Sequence, residues 1–345
     1  MVNELFNDIS YNLPKGFDII AQDEHLGPQI LESLSEIEQR LSKAVTQTSR
    51  IADVTSRHLL NAGGKRIRPL LTLLAAAAGG GINDKVLDAA VVVELTHLAT
   101  LYHDDVMDDA PKRRGVDTAQ NIWGNSVAIL TGDLIFSRAS LIVSDLGSRP
   151  MSVQSQTFER LVLGQLFETL GPEPDEDILS HYIKVIEGKT GSLIAAAGSY
   201  GGILSEAPES TIQTLARYGE LVGVAFQLAD DVLDITGEGK KSGKTPGTDL
   251  REGVPTLPTI LLEQEAERQD SSAQEILEMI RGDLSSDEAL ERAVQALSAH
   301  PVTARAWSIA CQWADDAVQV LKSLPDSTAK EALISFAHAV VRRDS

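Results

Sequence analysis

Apolar residues recur with helical spacing along nearly the whole chain. Leu26 to Leu60 reads as one long pattern that ends before Gly63-Gly64. Pro69 suits the first turn of the next helix, which runs to the glycines at 79–81. Val86 to Asp109 predicts a strong helix stopped by Pro111, Trp123 to Leu146 another, and Met151 to Leu170 a third that ends at Gly171-Pro172. Asp175 to Glu187 and Gly191 to Tyr200 read as a broken pair around Lys189-Thr190. Pro208 to Ile235 is long and closes at Gly237, and Thr256 to Arg343 is helical with charged loops. No alternating strand block or Asn-Gly hairpin interrupts this pattern. The expectation is one all-α domain over 1–345, with an N-terminal extension at 1–25 and a mobile Gly-rich loop at 237–247.

Composition agrees. Apolar residues make up 43% of the chain and aromatics 4%, carried by Ala, Leu, Val and Ile, which suits packed helices. The lone cysteine, Cys311, excludes an internal disulfide and fits a reducing cytosol. The net charge of −20 repels nucleic acid and anionic lipid. The first ten residues lack a basic, then apolar, leader, and the longest apolar run, Leu70 to Ala78, falls far short of the ~20 residues that span a bilayer. The sequence therefore predicts a soluble, cytoplasmic protein.

Against this acidic background two clusters stand out. Asp104, Asp105 and Asp108 end one predicted helix; Asp230, Asp231 and Asp234 end another. Like charges four apart repel, and a helix C-terminus is already negative. A merely structural helix favours Lys or Arg there, so two such ends read as cation sites. All the ligands are hard oxygens, which favours Mg²⁺ over Zn²⁺. Mg²⁺ bridges a few carboxylates to phosphate oxygens, so the expected ligand is a polyphosphate held between two Asp-rich helix ends. Basic groups stand nearby in sequence: Lys65, Arg66 and Arg68 at a helix start, Lys112, Arg113 and Arg114 after the first cluster, and Lys240, Lys241 and Lys244 after the second. His97 lies seven residues before Asp104 and Gln227 three before Asp230, each on its cluster's face. Lys189-Thr190-Gly191 interrupts a helical run, which exposes a cation and a hydroxyl.

Taken in order, Gly63-Gly64-Lys65-Arg66-Ile67-Arg68-Pro69, His103-Asp104-Asp105-Val106-Met107-Asp108 with Arg113-Arg114-Gly115, Lys189-Thr190-Gly191 and Gln227 to Asp234 resemble the trans-polyprenyl diphosphate synthases. Gly243-Lys244, Gly247 to Gly253 and Thr256-Leu257-Pro258 are similar too, and the resemblance covers about residues 25 to 340. Trp123-Gly124-Asn125, Ala128-Ile129-Leu130 and Gly132-Asp133 look most like the actinobacterial long-chain branch. The resemblance implies the isoprenoid synthase fold, a helical bundle around a deep cavity, usually a homodimer. It implies three Mg²⁺ ions on Asp104, Asp105, Asp108, Asp230, Asp231 and Asp234. It gives isopentenyl diphosphate to Lys65, Arg68, His97 and Arg114, and the allylic diphosphate to Arg113, Lys189, Gln227 and Lys244. Lys189, Thr190 and Gln227 would serve the reacting carbons. One departure is Val254, where many members carry Lys.

The implied activity is head-to-tail condensation of isopentenyl diphosphate with an allylic diphosphate. Thr96, Ala99 and Thr100 line the helix before the first cluster, small and non-aromatic where short-chain members often place a bulky side chain. This predicts a tunnel and a heptaprenyl to decaprenyl product, a precursor for a menaquinone side chain that membrane enzymes would receive. Phe136 is the candidate floor. The alternatives are a geranylgeranyl or farnesyl diphosphate synthase, a class I terpene cyclase and a non-catalytic synthase subunit. The second Asp-rich motif and the 63–69 segment weigh against the cyclase, and retention of both motifs against the subunit.

Overall fold

The computed structural model describes residues 13–14, 16–237 and 246–342. The Gly-rich loop expected at 237–247 lies mostly outside these residues, and Lys240, Lys241 and Lys244 entirely so. The described chain is almost wholly helical, with β-structure confined to one two-stranded hairpin. By spatial grouping the described residues form two compact units: 13–14, 16–159, 193–219 and 320–336 in the first, 160–192, 220–237, 246–319 and 337–342 in the second. The boundaries fall inside helices rather than in a linker.

In the first unit, α1 (Leu26–Val45) and α2 (Arg50–Asn61) occupy the stretch read as one helix. The break follows from local hydrogen bonding: Thr46 Oγ1 donates back to Ser42 O at 2.8 Å, and Asp53 Oδ1 accepts the Gln47 N–H at 3.0 Å. These side chains compete with the helical ladder for backbone groups. α3 (Ile67–Ala78) follows, with Pro69 in its first turn as expected. α4 (Asp84–Met107) is started by Asn83, whose side chain accepts from the Lys85 and Val86 N–H groups, and packs along α1 and α3. Residues on every side of α4 are buried, from Val86 and Val91 to Leu98 and Tyr102.

A hairpin then pairs β1 (Lys112–Arg113) with β2 (Val116–Asp117). Its two turn residues, Arg114 and Gly115, both have positive φ, at 52° and 80°, as a two-residue turn of this hand requires. The helical reading missed this element because each strand is only two residues long. Next come α5 (Ala119–Trp123) and α6 (Asn125–Asp145), which Gly124 separates, and α7 (Ser148–Leu170). α6 packs on α4. Among the described residues α6 alone is long and apolar enough to cross a membrane, at mean hydropathy 1.6 with a third of that window buried. A search for an unbroken apolar run overlooked it, because Ser, Thr, Gly, Asp133 and Arg138 interrupt its sequence.

Residues 16–25, read as part of an extension, are built into this unit. Phe17 and Ile20 are fully buried, and the Phe17 ring stacks on Phe336 at 4.7 Å between centroids. Asp23 accepts the His25 and Leu26 N–H groups at the start of α1, and Thr328 Oγ1 donates to it at 2.5 Å.

The second unit holds α8 (Ile178–Ile186), a π turn at Glu187–Gly191 and the start of a continuing helix, α9 (Ser192–Leu204). The pair expected to be broken at Lys189-Thr190 is thus one helical run with a local widening. α10 (Glu209–Thr236) enters this unit at Glu220 and carries the second Asp cluster in its last turns. After α11 (Thr248–Glu252) come α12 (Leu257–Glu267), α13 (Ser271–Ile280) and α14 (Asp287–Ala299), in which α12 packs on α8 and α13, and α13 on α14. α15 (Pro301–Leu321) and α16 (Thr328–Val341) complete the chain.

Candidate active site

The first Asp cluster closes α4, whose last turn holds no basic residue. Asp104 is half-buried, Asp108 exposed at the C-cap, and Asp105 only 1% exposed. Asp105 Oδ1 accepts from Arg113 Nε at 2.6 Å, while Oδ2 is buried with no hydrogen-bond partner. Burial pushes the Asp105 carboxyl up, the Arg113 charge and hydrogen bond pull it back, and Asp108 adds to the rise. A buried carboxylate oxygen beside two further acids is costly to keep charged, and a bound cation would remove that cost.

The hairpin splits its two arginines. Arg113 turns to Asp105, whereas Arg114 Nη1 donates to Leu59 O at 3.0 Å and to Gly63 O. Arg68, near the start of α3, is half-buried and has an Nε without a partner. His97 faces Arg68, Arg114, Arg113 and Arg66; burial first, then these four positive charges, hold its pKa well below the ordinary histidine value. His97 is therefore neutral at pH 7 and offers one N–H without adding charge. Lys65 is exposed next to this group in sequence. The first unit thus brings together Arg68, His97, Arg113 and Arg114 with Asp105.

Arg66, read from the sequence as one of the basic residues at a helix start, belongs to the same group; its buried partner Glu94 was not anticipated. Arg66 has left-handed backbone at φ 49°, a conformation that costs a non-glycine residue roughly 1–2 kcal/mol. Its guanidinium pairs with Glu94 Oε1 at 3.1 Å and with Glu38. Glu94 is 3% exposed and opposes the burial-driven fall in pKa of both Arg68 and Arg114.

The second unit arranges the other motif residues. Asp231 is 5% exposed; its Oδ1 accepts from Gln227 Nε2 at 2.9 Å and its Oδ2 from the Tyr182 hydroxyl. Burial raises the Asp231 carboxyl to about 7 against those two hydrogen bonds, with Asp249 and Asp230 adding to the rise. Asp230 is exposed, and Asp234 accepts the Asp249 N–H at 3.3 Å. Thr190 Oγ1 donates to Gln227 Oε1 at 3.2 Å, so Thr190, Gln227, Asp231 and Tyr182 form one hydrogen-bonded chain. The Lys189 ammonium pairs with Glu168. The π turn is set by close backbone approach: a Cβ at Gly164 would lie 2.9 Å from Lys189 N and 3.1 Å from Gly188 Cα.

Tyr182 and Glu168 escaped the sequence reading because nothing local marks a tyrosine or a glutamate as a partner. Val254 is 38% exposed, and Lys244 lies outside the described residues. Among the described residues no three acids or histidines already converge into a ready metal cluster. Each cluster is still an all-oxygen donor set, suited to a divalent ion that keeps waters and takes phosphate oxygens.

The helix wall expected to line a tunnel is densely packed. Thr96 and Ala99 have no exposed surface, whereas Thr100 is half-buried. Thr96 Oγ1 donates to Val92 O at 2.8 Å and accepts from Gln154 Nε2 at 2.9 Å; Gln154 Oε1 accepts from the Tyr200 hydroxyl at 2.8 Å. Phe136 stacks edgewise on Phe158 at 4.6 Å.

Residues 50–297 match the polyprenyl synthetase family. The chain is 41% identical over 311 residues to a nonaprenyl diphosphate synthase of Mycobacterium tuberculosis, covering 90% of this chain and 92% of that protein. It is 33% identical over 338 residues to the octaprenyl diphosphate synthase of Escherichia coli, covering 96% and 99%. A crystal structure of geranylgeranyl pyrophosphate synthase from Corynebacterium glutamicum, complexed with calcium and isoprenyl diphosphate, is similar at TM-score 0.83 and 40% identity over 93% of this chain and 98% of that one.

Proposed function

From the premise that this chain belongs to the polyprenyl synthetase family, we propose that it joins isopentenyl diphosphate to an allylic diphosphate and repeats the step to a heptaprenyl to decaprenyl product. One observation carries the reading: Arg113 faces both the buried Asp105 carboxylate and the cluster of His97, Arg68 and Arg114. Guanidiniums and a neutral histidine beside carboxylates that need a cation match a metal-bound diphosphate. The relatives of nonaprenyl and octaprenyl name support the long product. The likeness to a geranylgeranyl synthase structure supports a second, shorter reading. The test is to supply the purified chain with isopentenyl diphosphate, an allylic primer and Mg²⁺, and to weigh the products by mass spectrometry. A geranylgeranyl product establishes the second reading, and no incorporation overturns both.

Asp104, Asp105, Asp108, Asp230, Asp231 and Asp234 are the residues to hold Mg²⁺. A divalent ion held by these carboxylates would supply positive charge against the diphosphate leaving group, which departs with the electrons of the allylic C–O bond. Asp231 is held by Tyr182 and Gln227, so its part is orientation as much as charge. Arg68, Arg114, His97 and the exposed Lys65 bind isopentenyl diphosphate. Lys189 exchanges Glu168 for the allylic diphosphate, and Thr190 and Gln227 present oxygens to the reacting carbons. The isopentenyl double bond forms the new C–C bond, and the departing diphosphate takes the proton lost.

Two outcomes check these assignments. Arg68→Ala and His97→Ala should each raise the KM for isopentenyl diphosphate about tenfold or more, as loss of a hydrogen bond to a charged group does. Lys189→Ala should instead raise the allylic KM. Steady-state kinetics with each substrate varied in turn measures this, and an Arg68→Ala effect confined to the allylic KM reverses the roles.

A homodimer is part of the proposal. Ile129, Leu130 and Leu141 on α6 are 42%, 65% and 56% exposed, an apolar surface that a second copy of the chain would cover. Leu130→Glu is expected to shift sedimentation from dimer to monomer; a wild type that sediments as a monomer removes the dimer.

A further inference from the structure

Glu94 is a buried carboxylate that the reaction itself does not use. It lies at 4% side-chain exposure and meets one member of the cationic cluster directly, the Arg66 guanidinium at 3.1 Å. Arg66 is held from its other edge by Glu38 and also reaches toward Gly63 O at 3.4 Å. Its backbone caps the start of α3 at φ 49° and ψ 34°. Lys65 and Arg68 stand one residue before and two after this unusual backbone, so the directions of both side chains depend on it.

Two of the other arginines, Arg68 and Arg114, also feel Glu94 as their principal favourable charge. Arg114 spends its Nη1 on backbone oxygens of Leu59 and Gly63. One acid therefore faces three guanidiniums and is tied to the one that is assigned no substrate. We propose that Glu94 is a positioning residue for the isopentenyl diphosphate site: by holding Arg66 in its left-handed turn it sets Lys65 and Arg68 for the diphosphate. The proposal rests on the reading of that site given above.

Charge alone predicts the opposite sign, which makes the test sharp. Removing a buried negative charge beside three guanidiniums should tighten an anion if Glu94 acted only as a counter-charge. Loss of positioning should weaken it. Glu94→Gln keeps the shape and drops the charge. The expected result is a rise of about tenfold or more in the KM for isopentenyl diphosphate, with the allylic KM changed less than about twofold. Calorimetric titration of isopentenyl diphosphate into the protein should show the same weakening. Arg66→Lys keeps the charge but loses the planar fork, and it should give the same split even if the Glu94 variant folds poorly. An unchanged or lower isopentenyl KM in either folded variant overturns the proposal, as does an equal rise in both KM values. A wild type that incorporates no isopentenyl diphosphate overturns instead the reading on which it rests.

Discussion

Alanine at Asp104 or at Asp230 is expected to lower turnover by about 10²-fold or more while the Tm stays within a few degrees of wild type, by analogy with deletion of one preorganised electrostatic group. Asp104 stands in the last turn of α4 and Asp230 near the end of α10, where the negative pole of each helix and neighbouring carboxylates disfavour a further negative charge. Removing either relieves like-charge repulsion at a helix end in the metal-free protein. Asp105 is the contrasting case, because its loss would leave Arg113 without the carboxylate it meets at 2.6 Å. Asp105→Ala should therefore lower both turnover and Tm. Turnover with added Mg²⁺ and thermal melting, measured on the same preparations, separate the two classes. Near-normal activity in Asp104→Ala or Asp230→Ala would sink the assignment of catalytic metal to that cluster.

Product length should respond most strongly at Thr100. This residue lies one turn, about 6 Å, before Asp104 on α4 and keeps some exposed surface, with its hydroxyl folded back on His97 O at 2.8 Å. A phenylalanine there would stand one turn from the metal-ligand carboxylates on a part-exposed position, where the proposed path of the growing chain runs. Thr100→Phe is expected to move the product from the heptaprenyl–decaprenyl range to farnesyl or geranylgeranyl length, with isopentenyl incorporation retained. Ala99, by contrast, has no exposed surface. Ala99→Phe must overfill packed core, which costs typically about 1–3 kcal/mol, so its Tm should fall by several degrees as well. Mass spectrometry of products and melting curves decide between these outcomes. A Thr100→Phe enzyme that still makes the wild-type product rules out passage along this face.

How far the sequence reached can be argued from individual residues. The Asp clusters were legible because a repulsive arrangement at a helix end is written in consecutive positions. Arg68 was read from the ordered motifs, and His97 from its place seven residues before Asp104 on the same helix face. Glu94 was not, since its partner Arg66 caps a different helix and nothing local in the Asp84–Met107 segment marks one acid as the partner of a distant arginine. The hairpin was hidden by its length, although Arg114-Gly115 carries its turn. The helical run through Lys189 was misread as broken because the Gly-Lys-Thr-Gly composition signals a stop; the glycines instead permit close packing against Gly164. Thr96 looked like tunnel lining because it is small, but its hydroxyl is committed to Val92 and Gln154.

The stacking of Phe17 on Phe336 imposes an order on the birth of the molecule. The partner ring is made about 320 residues after Phe17 is added to the chain, which at about 5–20 residues per second is roughly 15 to 60 s. Throughout that interval Phe17 lacks the ring it finally stacks on, while the turn at Asp18–Gln22 already has α1 to pack against. The contacts of this N-terminal segment with α16 form only when that last helix arrives. Nascent chains halted before residue 336 should offer their N-terminal segment to proteases and chaperones that the finished protein excludes.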